Sequence, residues 1–362
     1  MLMEWKNVTD GPAIYSIEQS SVAAGYQNPA PYDSIPYCTY PMTYDPCIWK
    51  EDGVYHILSG GVVYDQCTGG MHRQEFLFTS TDLVHWNYQH PMITNDSFGE
   101  VGDDGGCPYF APWQDNKTPG EDHRLLWHFS HQLGPRYVMG IYDKKSLKFT
   151  PYAGSRVQSV SNLDGYSVSA LFTGTPDDSM MAIYIMRGRG TPTVMSMVHR
   201  LERCGEYLEE IAVSPAADID SLPYTRTPLP GEEDCIQPNG KTAIFKLHIG
   251  YDAQKAHPVI RFYRADGSAF GQLQLNVGSG RNKRRDTQWL NDDLAILSME
   301  DRPDCAPPQI VRLPRTDGIW NLTLVLDEDT MEIFYPNALS MGRRMYGNLD
   351  GMYLRIENGW II

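Results

Sequence analysis

The sequence predicts an all-β protein, a β-propeller followed by a C-terminal β-sandwich, and three observations carry that reading. Short runs rich in Val, Ile, Tyr, Phe and Thr are bounded again and again by Gly, Pro, Asp and Asn, while helical periodicity is scarce. A unit of strand, polar turn and strand recurs at a spacing of about 60 residues, near that of propeller blades with long loops. Beyond residue 240 the strands alternate as if buried on one face, with spacing that suits a sandwich.

Composition narrows the function classes. The chain has 362 residues, 41% of them apolar and 21% charged, which is ordinary globular usage and predicts one large or two ordinary domains. No apolar run is long enough to span a bilayer, and MLMEWKNVTD lacks the apolar region of a signal peptide, so neither a membrane protein nor a secretory leader is expected. A net charge of -15 argues against nucleic acid; GSGRNKRRD at 278 to 286 is the one basic cluster and reads as a solvated loop. Seven cysteines show no CxxC pairing and no zinc-like spacing, which gives a metal site little support, and an odd count leaves at least one thiol free. Sequons begin at Asn7, Asn95, Asn116 and Asn321, which suit a secreted protein and also arise by chance, so the compartment stays open.

In chain order, GPAIYSIEQSSVAAGY at 11 to 26 reads as part of a blade. YDPCIWKEDGVYHILSGG at 44 to 61 opens on Asp45-Pro46, and a proline there marks the first residue of a strand or the turn before it. EFLFTSTDLVHWNYQ near 75, RYVMGIYDKKSLKFTPY near 136 and VMSMVHRLERCGEYLEEI near 194 are the recurring hairpins. Each is read as the outer hairpin of a blade, with Trp86, Phe149 and Tyr207 as aromatics that pack between blades. His85 and Trp86 are read as turn and packing residues, and His123, His128 and His131 as residues of strand faces. Residues 1–213 are thus the propeller domain, the proline-rich stretch 214–240 a linker, and 241–362 the sandwich, with a hairpin turning at Asp327 to Thr330. About four blades fit before the sandwich; an incomplete ring leaves two unpaired strand edges and invites self-association.

These pieces, in this order, resemble glycoside hydrolase family 32, the invertase, inulinase and fructosyltransferase group. Tyr44-Asp45-Pro46 resembles the family's R-D-P, STDLVHW at 80 to 86 its S-x-D-L-x-x-W hairpin, and GGCPYFAPW at 105 to 113 its E-C-P-D-L-F segment. LDGY at 163 to 166 stands in the place of D-Y-G, SMVHRLER at 196 to 203 in that of the P-R-E-L strand, and LTLVLDEDTMEIFYPN resembles V-D-x-S-x-V-E-V-F. The resemblance implies a five-bladed propeller carrying the active site, a sandwich, an extracellular setting, and a β-fructoside ligand such as sucrose, inulin or levan, with no cofactor.

The resemblance also implies roles. Asp45 matches the Asp that holds sugar hydroxyls and stabilises the transition state. Asp164 and Arg200 would line the funnel. Tyr44, Tyr109, Trp113 and Tyr166 are read as aromatic platforms for sugar faces. Retaining hydrolysis needs a nucleophile and a proton donor about 5 to 5.5 Å apart. The family's W-M-N-D-P-N-G has no counterpart in residues 1 to 43, Tyr44 stands for the Arg of R-D-P, and Gly106 stands for the acid of E-C-P. Glu100, Asp103 and Asp104, in a Gly-rich loop, are the substitute acids. Two further readings stay open: a family 43-type inverting hydrolase with Asp45 as the base, its carboxyls about 6.5 to 9.5 Å apart, and a non-catalytic carbohydrate-binding propeller.

Overall fold

The computed structural model describes residues 44–65, 70–113, 120–158, 165–174, 179–188, 190–204, 210–216, 219, 235–238, 240–252, 257–276, 293–299, 308–313 and 318–362. Among them there is no α-helix. No described helix is long and apolar enough to cross a membrane. The readings placed on 11–26, on Tyr207, on 278–286, on Asp164 and on most of 214–240 lie outside the described residues, as does the segment on which the blade count turns. The chain divides into two compact units, Met1–Ser155 and Arg156–Ile362.

Among its described residues the first unit has two four-stranded antiparallel sheets. In one, β1 (Tyr44–Glu51), β2 (Val54–Gly60), β5 (Phe76–Ser80) and β6 (Asn87–Pro91) lie side by side, and a ribbon of β3 (Val62–Asp65) and β4 (Gly70–Arg73) extends between β2 and β5 along the chain. The β1–β2 turn is Asp52-Gly53, both at positive φ, the two-residue hairpin whose twist matches its strands. In the other sheet β7 (Gly106–Pro112), β8 (His123–Ser130), β9 (Gly134–Asp143) and β10 (Lys148–Arg156) follow in chain order. This up-and-down order is that of a propeller blade. Leu58 and Leu77 from the first sheet, Met92 beyond it, and Phe110, Leu126, Val138 and Phe149 from the second form one core between them. Phe149 fills the blade-to-blade role read for it, and its backbone pairs with Met92 and Thr94. Trp86 instead packs within its own sheet, against Ile57, Phe76, Phe78 and Tyr88.

The second unit begins with a third sheet of the same kind: β11 (Tyr166–Phe172), β12 (Met180–Gly188), β14 (His199–Cys204) and β15 (Glu210–Pro215), with β13 (Thr191–Met195) folded onto β12. All three outer hairpins read from the sequence are present, as β5–β6, β9–β10 and β14–β15.

Two further sheets form the sandwich. One runs β16 (Cys235–Ile236), β25 (Tyr353–Glu357), β18 (Val259–Tyr263), β19 (Ala269–Asn276), β20 (Asp293–Met299) and β21 (Gln309–Leu313). The other runs β24 (Met341–Arg344), β23 (Thr330–Phe334), β22 (Ile319–Asp327), β17 (Thr242–Gly250) and β26 (Trp360–Ile361). Asp327 pairs with Thr330, closing the hairpin where the sequence places it. Alternate residues such as Phe245, Leu247, Ile249, Phe262, Leu273 and Leu324 enter a common core. The third sheet is tied to the sandwich by a buried polar knot. Glu332 accepts hydrogen bonds from the Tyr166 hydroxyl at 3.0 Å and the Met197 amide at 2.7 Å, and pairs with His199 at 2.7 Å.

Candidate functional site

The first strand of each blade-like sheet begins with the same irregularity. Between Tyr44 and Cys47, between Gly106 and Tyr109, and between Tyr166 and Ser169 the register slips, so that two residues face one on the neighbouring strand. In β1 the two are Asp45-Pro46, and in β7 they are Cys107-Pro108. Proline has no N–H for the ladder and fixes its own φ, which suits a bulge. The residue before it takes a left-handed conformation, with φ of 48° at Asp45 and 46° at Cys107. This is the structural reason for the Asp-Pro step: the bulge turns the Asp45 side chain out of the strand.

The two bulges meet. The Cys107 amide donates to Asp45 Oδ2 at 3.3 Å and the Cys107 thiol at 3.5 Å. Asp45 is exposed and Cys107 half-buried. Burial, then Asp45 and Asp104, push the Cys107 thiol up to about 11, so it is a neutral donor and not a nucleophile. Half-buried Tyr109 shares this neighbourhood; burial raises its hydroxyl first, with Cys107, Cys47 and Asp45 adding to the effect. A Cβ placed on Gly106 would lie 3.7 Å from Asp45 Oδ2 and no nearer than 3.4 Å to Phe129 O, so a side chain has room there and would stand beside Asp45.

The three substitute acids separate. Asp103 is fully buried, with Oδ2 3.3 Å from both Arg73 Nε and Arg136 Nε and 3.1 Å from His128 Nε2. Burial alone would raise its carboxyl, but His128, Arg73 and Arg136 outweigh it and hold Asp103 ionised well below the usual carboxylate range. Asp103 is therefore an anchor and not a proton donor. Glu100 pairs with Arg136 at 2.6 Å. Asp104 points the other way, taking the His131 amide at 3.0 Å and the His131 Nδ1 at 2.6 Å.

Sequence reasoning missed the rest of this cluster. Arg73 bridges Glu75 at 2.5 Å and Asp96 at 2.6 Å, and Arg73, Glu75 and His128 have no exposed side chain. His128 faces the Cys107-Pro108 bulge across the β7–β8 pair, so the cluster lies directly behind it. The available signal was two charges flanking Gln74 immediately before the apolar strand Phe76-Leu77-Phe78.

The aromatic readings need correction. Trp113 is 3% exposed and Tyr166 fully buried, so neither offers a ring face to a sugar; Tyr166 stacks on Tyr184 at 4.4 Å instead. Tyr44 is described for its backbone only. Arg200 is half-buried on β14 in the second unit, opposite Met181 and Ser214. A cleft of about 870 Å³, lined by Glu51, Asp122, Arg124, Tyr142 and Lys144 among others, sits at the far end of β1 and β7. Six steps of strand, about 20 Å, separate Glu51 from Asp45, and the cleft's charges pair with one another, Arg124 holding Glu51 at 2.8 Å and Asp122 at 2.7 Å. Among the described residues no cluster of three or more His, Cys, Asp or Glu could hold a metal ion.

Comparison with solved structures decides the fold. Sucrose-6-phosphate hydrolase from Lactobacillus gasseri superposes with a TM-score of 0.64 at 17% identity, over 90% of this chain and 67% of that one. The chain has the glycoside hydrolase family 32 fold. A family 32 β-fructofuranosidase of Bombyx mori gives a TM-score of 0.57 at 16% identity, over 88% of this chain and 65% of its own. A β-fructofuranosidase of Aspergillus kawachii, complexed with glycerol, gives 0.56 at 11%, over 87% and 68%. The family 32 fold is a β-propeller followed by a β-sandwich, and this chain spans about two thirds of each of these proteins. No family model matches the sequence, and no curated protein does.

Proposed function

We propose that the Asp45 end of the first unit binds a β-fructosyl group, as found in sucrose, inulin or levan. One observation carries this reading. Asp45 of the Asp-Pro step meets the Gly106-Cys107 step, and the Asp45 carboxylate there is exposed while it accepts the Cys107 amide. An exposed carboxylate fixed in direction can take two vicinal hydroxyls, and half-buried Tyr109 beside it offers an apolar face. Family 32 structures complexed with sucrose and with fructose support a sugar as the ligand class. Position 106 brings no proton, so retaining hydrolysis through that position is not part of the proposal. Isothermal titration of the purified protein with sucrose and with an inulin oligosaccharide tests it: wild type binds, and Asp45→Asn, which keeps shape but loses charge, binds at least tenfold more weakly.

A further inference from the structure

We propose that Asp104 and His131 form the acid–base pair of this site and do the work that a carboxyl at position 106 would do; the proposal rests on the sugar-binding reading above. Three observations lead to it. First, the pair is built: Asp104 receives both the backbone amide of His131, at 3.0 Å, and its ring Nδ1, at 2.6 Å. The carboxylate accepts both bonds; the one from Nδ1–H fixes the imidazole's tautomer and direction, and leaves Nε2 as the nitrogen that takes a proton in the neutral ring and gives it up from the imidazolium. Second, the pair is accessible, with 63% of the His131 side chain and 30% of the Asp104 side chain exposed, unlike the buried His128–Asp103 pair behind it. Third, it is placed beside Gly106. The His131 and Phe129 rings pack edge to face, with centroids 5.1 Å apart, and Phe129 faces Gly106 across the β7–β8 pair. Phe129 Cδ1 lies 3.8 Å from where a Cβ on Gly106 would be, the same point that lies 3.7 Å from Asp45 Oδ2. A side chain at position 106 would thus stand near both Asp45 and the Phe129 ring on which His131 packs, and the charge of Asp104 is felt at Cys107.

The step is a hydrolysis with water as co-reactant. The imidazolium form of His131 gives its Nε2 proton to the glycosidic oxygen as the bond from that oxygen to the anomeric carbon breaks, the electron pair staying on oxygen and the ring left neutral with its Nδ1–H on Asp104. A water attacks the anomeric carbon and loses its proton to the Asp45 carboxylate. Asp104 stays anionic throughout, and bulk solvent reprotonates the imidazole and takes the proton from Asp45. Among the described residues, Asp104 from the loop before β7 pairs with His131, and from β8 the neutral Phe129 packs on it.

Fructose release from sucrose and from an aryl β-fructofuranoside tests the proposal, with sucrose binding followed by calorimetry on the same samples. A phenolate leaves without being protonated, so only sucrose needs the acid. Wild type releases fructose from both. His131→Gln loses about 10²-fold or more on sucrose, the range for one acid–base group, and much less on the aryl substrate, while sucrose affinity stays within a few fold. Asp104→Asn shows the same pattern in weaker form. A wild type that binds sucrose and releases no fructose overturns the acid–base pair and leaves the binding site standing, as does a His131→Gln that treats both substrates alike. A wild type that does not bind sucrose overturns both.

Discussion

Asp45 and Cys107 hold the same position in two neighbouring sheets, the first residue of a two-for-one bulge at positive φ, and the carboxylate of one accepts the amide proton of the other at 3.3 Å. The contact joins the starts of two strands that lie 62 residues apart in sequence. Beside this contact, position 106 has room for a side chain.

That tolerance separates two glycines. A Cβ at Gly106 makes only ordinary contacts, whereas a Cβ at Gly140 would lie 2.5 Å from Thr150 O and 2.6 Å from the Phe149 ring. Gly106→Ala should leave stability within about 0.5 kcal/mol of wild type, and Gly140→Ala should cost about 1–3 kcal/mol through overpacking. Urea denaturation of the two variants side by side measures this.

Asp103→Asn should be the most damaging conservative change in the first unit. It leaves Arg73, Arg136 and His128 facing a neutral amide in a dry cluster, a loss of about 3–5 kcal/mol. The pH dependence has a definite sign. Because the folded carboxyl is depressed below its ordinary 3.8, its stabilisation is present above that value and is lost as pH falls through the folded pKa. The gap between wild type and Asp103→Asn should therefore narrow on acidification.

Glu75 behaves in the opposite sense. Burial raises its carboxyl above the ordinary 4.5 despite Arg73, and its Oε2 has no hydrogen-bond partner. A raised folded pKa gives a contribution that is complete below 4.5 and declines as pH rises through the folded value. Glu75→Gln should lose stability against wild type at pH 4 and recover much of that difference by pH 7, read from denaturation midpoints at both.

In the second unit, Tyr166→Phe removes one of the three groups that meet Glu332 and leaves the Ser340 hydroxyl without its partner at 3.2 Å. The expected cost is about 1–3 kcal/mol, with no change in sugar affinity. Thermal unfolding and calorimetry on one preparation distinguish this from a direct binding role.

The hairpins, the sandwich strands and the Asp-Pro strand start were legible because turn residues and period-two alternation are local signals. The β1–β2 turn is an Asp-Gly pair, and the β22–β23 turn sits within Asp327 to Thr330, as read. The site was legible only in part. Asp103 and Asp104 are adjacent in a polar, Gly-rich stretch that reads as one acidic turn, yet one points into a buried ion cluster and the other to an exposed histidine. Which way each faces depends on partners at 73, 128, 131 and 136, three of them on or beside another hairpin, and no local pattern encodes that. Trp113 and Tyr166 failed as platforms for a related reason. An aromatic near a strand end can pack inward or outward, and here the inner cores took both.

The central claim is that the Asp45 carboxylate, held by Cys107, is the anchor of a sugar site. The most direct measurement is calorimetric titration of wild type, Asp45→Asn and Trp113→Phe with sucrose and with an inulin oligosaccharide at neutral pH. Wild type and Trp113→Phe should bind alike, and Asp45→Asn should bind at least tenfold more weakly with unchanged unfolding temperature. Equal affinity in wild type and Asp45→Asn, or no binding by a folded wild type, would contradict it.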